Sequence, residues 1–293
     1  MVAVVEVSDG SGTGVAYARA ALGLLPGLRP TGTGALPGVE ILHRGVVADR
    51  AHLAAYNRVC GFRVSDVLPA TYPHVLAFPL AMRLMTGPGF PLPLIGLIHI
   101  TNRITVHQRL DAAVPLDLTV RAADLRDHPR GRRFDITTTA TAGGATVWSE
   151  VSTYLRLGPA PASGSDPASR PATGVADPAP AGSVWRIPAR TGTDYAAVSG
   201  DRNPIHTSLL GARLFGFPRP IAHGMWSAAR CLAALEGRLP DAFTMEVAFK
   251  KAILLPATVE FRTTGDDASR SFAVRSGHPH LTGTITEPDR RDR

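Results

Sequence analysis

Within Tyr195–Leu235, the run Ser199-Gly200-Asp201-Arg202-Asn203-Pro204-Ile205-His206 brings an acid, an amide and an imidazole together around one proline. Asn is a good helix cap and Pro suits the first helical position, so Asn203-Pro204 predicts a helix start. Asp201 then stands just before that start and His206 in its first turn, where the two side chains can converge. An Asp and a His that converge can hold a water and move its proton. A loop further on, Ala222-His223-Gly224-Met225 opens a second helix, Met225 to Leu235, that is apolar on nearly every side. Only Ser227, Arg230 and Glu236 are plainly polar there, so this helix is expected to be buried on most faces.

Taken together, Tyr195 followed by Gly200-Asp201-x-Asn203-Pro204-x-His206 and then His223-Gly224 resembles the signature of the MaoC-like (R)-specific enoyl-thioester hydratases and dehydratases. The resemblance implies the hotdog fold, an α+β arrangement in which a long helix is wrapped by a curved antiparallel sheet. It also implies reversible addition of water to a trans-2-enoyl thioester, giving the (R)-3-hydroxyacyl thioester, with Asp201 and His206 catalytic. Asn203, His223, Gly224, Tyr195 and Gly200 fall on the substrate side. Asn203 either orients the carboxylate or water or only caps the helix, and His223 either shapes the pocket or only bonds to backbone. The N–H of Gly224, at the positive end of its helix, is expected to stabilise charge on the thioester oxygen, with glycine required because a Cβ would obstruct the thioester. The reaction needs neither metal nor organic cofactor.

The rest of the chain repeats that order. Tyr56-Asn57-Arg58-Val59-Cys60-Gly61-Phe62 lies over Tyr195 to Asp201, and Pro73-His74-Val75-Leu76-Ala77-Phe78-Pro79 over Pro218 to Gly224. Strand signals follow each: period-two alternation at Leu116, Leu118 and Val120, a Gly143-Gly144 hairpin turn, and four strands after Phe243. The expected architecture is a double hotdog. An N-terminal arm (1–35, with a helical patch Val15 to Leu25) precedes a degenerate hotdog (36–158). A Pro/Ala/Gly-rich linker (159–183) then leads to the catalytic hotdog (184–293). In the first copy Phe62 replaces Asp201 and no His follows at the spacing of His206. A helix starting at Pro79 would lack the N–H that Gly224 supplies. Phe62, Phe78, Met82 and Met85 are then either core or the lining of an acyl tunnel.

Composition narrows the setting. The 293 residues carry a formal net charge of +7, so anions are favoured partners. Arg202, Arg213 and Arg219 flank the motif and suit the phosphates of coenzyme A or the acidic face of an acyl carrier protein. No zinc-finger spacing or Arg–aromatic interleaving points to nucleic acid. No run is long and apolar enough for a membrane span, and the start lacks a signal peptide. Cys60 and Cys231 read as buried thiols, which suits a cytoplasmic protein. A monomer or a homodimer is expected, because a double hotdog pairs its units internally. The rival functions are a hotdog acyl-thioesterase and a non-catalytic acyl-thioester-binding protein.

Overall fold

The computed structural model describes residues 3–8, 34–87, 89–94, 96–158, 182–266 and 268–287. The expected helical patch at Val15 to Leu25 and nearly all of the 159–183 linker lie outside them. The first half runs β1 (Ala3–Glu6), β2 (Val39–Val46), α1 (Arg50–Cys60), α2 (Tyr72–Met85), β3 (Leu97–Val106), β4 (Leu116–His128), β5 (Gly131–Ala142) and β6 (Ala145–Leu157). The second runs β7 (Gly182–Ile187), α3 (Thr191–Ser199), α4 (Pro204–Thr207), α5 (Leu209–Leu214), α6 (Gly224–Ala234), β8 (Phe243–Phe249), β9 (Ala257–Gly265), β10 (Ser269–Arg275) and β11 (Pro279–Thr286).

All eleven strands form one sheet, ordered β1-β2-β4-β5-β6-β3-β8-β11-β10-β9-β7. Apart from β1, the order reads the same from either end. In each half the first strand lies outermost, the third, fourth and fifth follow, and the second lies at the centre. This is two hotdog units back to back, the double hotdog that the repeat implies. They join where β3 pairs antiparallel with β8, from Thr101↔Ala248 to Val106↔Phe243. Ile104 and Met245 pair at that seam with no exposed surface, so one apolar core runs through both units. β1 adds a parallel strand at the β2 edge, inside the segment read from sequence as an arm.

Local chemistry explains the helices. The Asp49 carboxylate caps α1 at its start, accepting from the His52 N–H at 2.8 Å. α1 and α3 stop alike, at Gly61 (φ 84°) and Gly200 (φ 75°), in the left-handed region that glycine enters without strain. That match sets Phe62 opposite Asp201. α6 is buried at Met225, Trp226, Ser227, Ala228, Ala229, Cys231 and Leu232, as its nearly all-apolar sequence requires.

One helix start differs from expectation. α2 begins at Tyr72, with Pro73 in its opening positions, and Pro79 lies in its interior. Two prolines compete for the start, and Pro73 takes it. Pro79 forgoes a hydrogen bond and crowds a carbonyl one turn back, but α2 buries Val75, Phe78, Leu80, Met82, Leu84 and Met85, and that packing outweighs the defect. Pro79 is therefore not the counterpart of Gly224.

Candidate active site

Backbone reversals build the site. Gly200 ends α3, its N–H reaching the Ala196 carbonyl at 3.1 Å, and turns the chain so that Asp201 leaves the helix axis. The Ser199 hydroxyl accepts from the Asp201 N–H at 3.2 Å, and Asp201 Oδ1 accepts from the Asn203 N–H at 3.2 Å. Asn203 Oδ1 accepts from the Ile205 N–H at 3.3 Å and caps α4, the single turn that carries His206. Of its two roles left open by the sequence, capping is the one with a bond to show. α3 can lie this close to α4 because residue 192 is glycine, and a Cβ there would strike the His206 carbonyl.

The two histidines are held differently. His206 Nδ1 lies 2.8 Å from the Ile221 carbonyl, a partner that can only accept, so Nδ1 carries the proton and the neutral ring has its lone pair on Nε2. His223 Nε2 donates to the Asp201 backbone carbonyl at 3.0 Å, with Asp201 Oδ2 3.8 Å away. Its Nδ1 is buried without a partner among the described residues. The rings stack at 3.6 Å between centroids, and Tyr195 lies 4.9 Å from His223 on its other flank. Burial lowers the His206 pKa, with the Asp201 charge pulling the other way. Burial and the neighbouring His206 push His223 down to about 3. Both rings are neutral at pH 7.

One ligand-type atom each from Asp201, His206 and His223 lies within 4.8 Å of the others. Such a trio has the residue types of a metal site. Each ring has one nitrogen committed to a backbone carbonyl, which fixes its tautomer and leaves the other nitrogen open. The arrangement suits proton handling.

α6 starts at Gly224, with His223 as its N-cap, and no side chain caps it. Its first N–H groups thus lack intrahelical acceptors and carry the positive end of the helix dipole. A Cβ at Gly224 would lie 3.0 Å from the Phe249 ring.

These groups open on one cavity of about 690 Å³. Asp201, Asn203, His206, His223, Gly224 and Tyr195 all line it, so the structure brings together six of the seven residues singled out from sequence. Gly200 does not line it and acts through the turn it makes. Phe78, Met82 and Met85 also line it, whereas Phe62 does not; its ring stacks on Tyr56 at 6.4 Å. Arg202, Arg213 and Arg219 are exposed and outside the lining, and the cations in the wall are Arg130, Arg156, Lys250 and Lys251.

Sequence reasoning missed a polar group in the first half. His74 Nδ1 lies 2.9 and 3.0 Å from the two oxygens of Glu150, a side chain 2% exposed, and Asn102 Nδ2 donates to the same carboxylate. His74 and His99 both line the cavity. The signal was present: His74 follows Pro73 at a helix start, and Glu150 lies in a strand close after the apolar pair Val147-Trp148. Only the pairing of β6 with β3 brings Glu150 beside Asn102.

Comparison with known proteins gives the family. The profile described as "MaoC like domain" matches residues 186–281. The chain is 40% identical over 270 residues to 3-hydroxyacyl-thioester dehydratase X of Mycobacterium tuberculosis, covering 91% of this chain and 95% of that one. The crystal structure of HtdX from the same organism superposes with a TM-score of 0.74 at 38% identity, covering 85% of this chain and all (100%) of that one. A further M. tuberculosis protein, described as a double hotdog fold, shares the fold alone, with a TM-score of 0.50 and 13% identity over 82% of this chain and 92% of its own. Fold and site together define a double hotdog. The chain belongs to the MaoC-like dehydratase family.

Proposed function

We propose that this protein is a hydro-lyase that interconverts trans-2-enoyl thioesters and (R)-3-hydroxyacyl thioesters in fatty-acid metabolism. The observation that carries the reading is the meeting of Asp201 and His206 beside the uncapped start of α6, on one cavity. The identity to a dehydratase across nearly the whole chain supports it. In hydration, a water held by Asp201 and His206 attacks C3 while the pair takes one of its protons. The pair returns one proton to C2, so that H and OH are added overall. His206 Nε2 is the open basic nitrogen, because Nδ1 is committed to Ile221. The two groups share their titration, and no single base is assigned for each direction. Charge gathering on the thioester oxygen is met by the Gly224 N–H. His223, neutral and tied to the Asp201 backbone, fixes the loop that carries the carboxylate.

On this reading residues 184–293 are the catalytic unit and 36–158 its degenerate partner, which contributes Phe78, Met82 and Met85 to the wall facing the acyl chain. Arg130, Arg156, Lys250 and Lys251 suit the phosphates of a coenzyme A or acyl-carrier-protein arm entering the cavity, with Arg202, Arg213 and Arg219 farther out. KM is then expected to rise with ionic strength while kcat moves little. The β3–β8 seam already pairs two units, which suits a monomer or a homodimer. Two buried free thiols, and no described helix long and apolar enough to cross a membrane, agree with a cytoplasmic setting. An assay with a crotonyl thioester, following enoyl absorbance and free thiol together, tests the proposal. Loss of enoyl absorbance without thiol release is expected. Thiol release would mark a thioesterase, and no turnover an acyl-binding protein.

A further inference from the structure

The half without the motif keeps a buried ion pair that the proposed chemistry does not use. His74, Phe78, Met82 and Met85 lie on one face of α2, at spacings of four, four and three residues, and all four line the cavity. The wall they form is polar at the start of the helix and apolar along the rest. Glu150 receives His74 Nδ1 on both oxygens and Asn102 Nδ2 on one, while Asn102 also donates to the Ser152 hydroxyl at 3.0 Å. Burial acts against charge on His74, but the Glu150 carboxylate outweighs it and raises the pKa. Burial likewise works against charge on Glu150, which His74 and Asn102 overcome, leaving its pKa lowered. Both shifts favour the ionised pair.

The other ring nitrogen has nothing to bond. His74 Nε2 has no hydrogen-bond partner among the described residues, and the side chain keeps 11% of its surface open in the cavity wall. His99 stands in the same wall, stacked on Tyr154 at 4.7 Å and 4.8 Å from Phe249, the ring that meets Gly224. Its Nε2 is buried without a partner among the described residues, and burial pushes its pKa down to about 3. An alkyl chain against His74 would leave a charged N–H donor unmet in a dry wall, which is costly. An oxygen would satisfy it. Because Glu150 already balances the charge, the site offers a polarised donor to a neutral oxygen and no net countercharge for a phosphate.

Resting on the proposed dehydratase reading, we propose that His74, aimed by Glu150, is a specificity-determining donor from the motif-less half. It binds a carbonyl or hydroxyl oxygen of the substrate other than the thioester oxygen met by Gly224. That oxygen can belong to an amide of the carrier arm or to the acyl chain. Sites built to hydrogen-bond an oxygen discriminate strongly against analogues that lack it.

Two matched substrate pairs separate the sources. The first is the crotonyl thioester of N-acetylcysteamine against S-ethyl thiocrotonate, which lacks the amide. The second is 5-oxo-trans-2-hexenoyl-CoA against trans-2-hexenoyl-CoA. His74→Phe is expected to lower kcat/KM about ten- to a hundred-fold on the oxygen-bearing member of one pair, while changing its partner less than about twofold. A discriminating first pair assigns the oxygen to the carrier arm, and a discriminating second pair to the chain. His74→Gln, which keeps a donor, should restore part of the preference. If His74→Phe does not fold, Glu150→Gln, which removes the charge that aims the ring, should show the same selective loss at smaller size. Uniform loss across all four substrates, or no loss, overturns the inference and leaves the dehydratase reading standing. A wild type that hydrates none of the four overturns both.

Discussion

α6 and α2 occupy corresponding places in the two units, and their starts are finished in opposite ways. The start of α6 is bare: Gly224 has no side chain and His223 does not cap the helix. The start of α2 is sealed: the Tyr72 N–H is spent on the Pro69 carbonyl at 2.8 Å, and Pro73 has no N–H to give. Ahead of each helix the contrast repeats. The turn at Gly200 delivers Asp201 to the cavity, while the matching turn at Gly61 delivers Phe62 to Tyr56. The two halves share a scaffold and differ in a few side chains and two helix starts.

The largest test of that contrast removes the pair. Asp201→Asn and His206→Ala should each leave a folded protein, judged by circular dichroism, with hydratase activity down by about two orders of magnitude or more. Near-normal turnover in both would place the chemistry elsewhere.

A smaller effect separates two phenylalanines of the first half. Phe78 lines the cavity and Phe62 does not. Phe78→Asp should lower kcat/KM about tenfold more for a long enoyl thioester than for a short one, because a carboxylate beside the chain must be desolvated. Phe62→Asp should treat the two substrates alike and show its cost in the denaturation midpoint. The reverse pattern would exchange their places.

The smallest effects lie in pH, where the halves pull in opposite directions. Burial holds His206 below its ordinary value of 6.5, so the neutral ring survives into mild acid, and the acid limb of kcat/KM should have its midpoint below pH 6.5. The unfolded chain protonates this imidazole before the folded one does, so stability falls as pH drops below about 6.5. His74 is raised, so its contribution is complete below 6.5 and is lost as pH rises through the higher folded value. Glu150 is lowered, so its share is present above its ordinary value of 4.5 and lost as pH falls through the lower folded one. Denaturant midpoints across pH should therefore lose their alkaline decline in His74→Phe and part of their acid decline in His206→Ala. Unchanged profiles would contradict the assigned shifts.

The half that carries the Asp201–His206 motif was legible because its signals are local. Gly200, Asn203-Pro204 and the apolar run after His223 each declare a turn, a cap or a buried helix within a few residues. The start of α2 was not, because two prolines fit the same rule and only the packing of the whole helix chooses between them. Burial of Phe78 against the cavity and of Phe62 away from it is likewise set by tertiary packing. The His74–Glu150 pair spans 76 positions and depends on strand register that no local pattern encodes. The arginines around the motif stand out in the sequence, whereas Arg130, Arg156, Lys250 and Lys251 reach the cavity wall only through strands and turns distant in sequence.

The central claim is that Asp201 and His206 act as one unit on one water, in one half of the molecule. The double variant Asp201→Asn/His206→Ala tests it against the two single variants with a single enoyl thioester. Groups that work as a unit show strongly non-additive losses. The account predicts a double variant about as slow as the worse single variant. Losses that multiply would mean that the two residues serve separate steps or separate sites, and would contradict it.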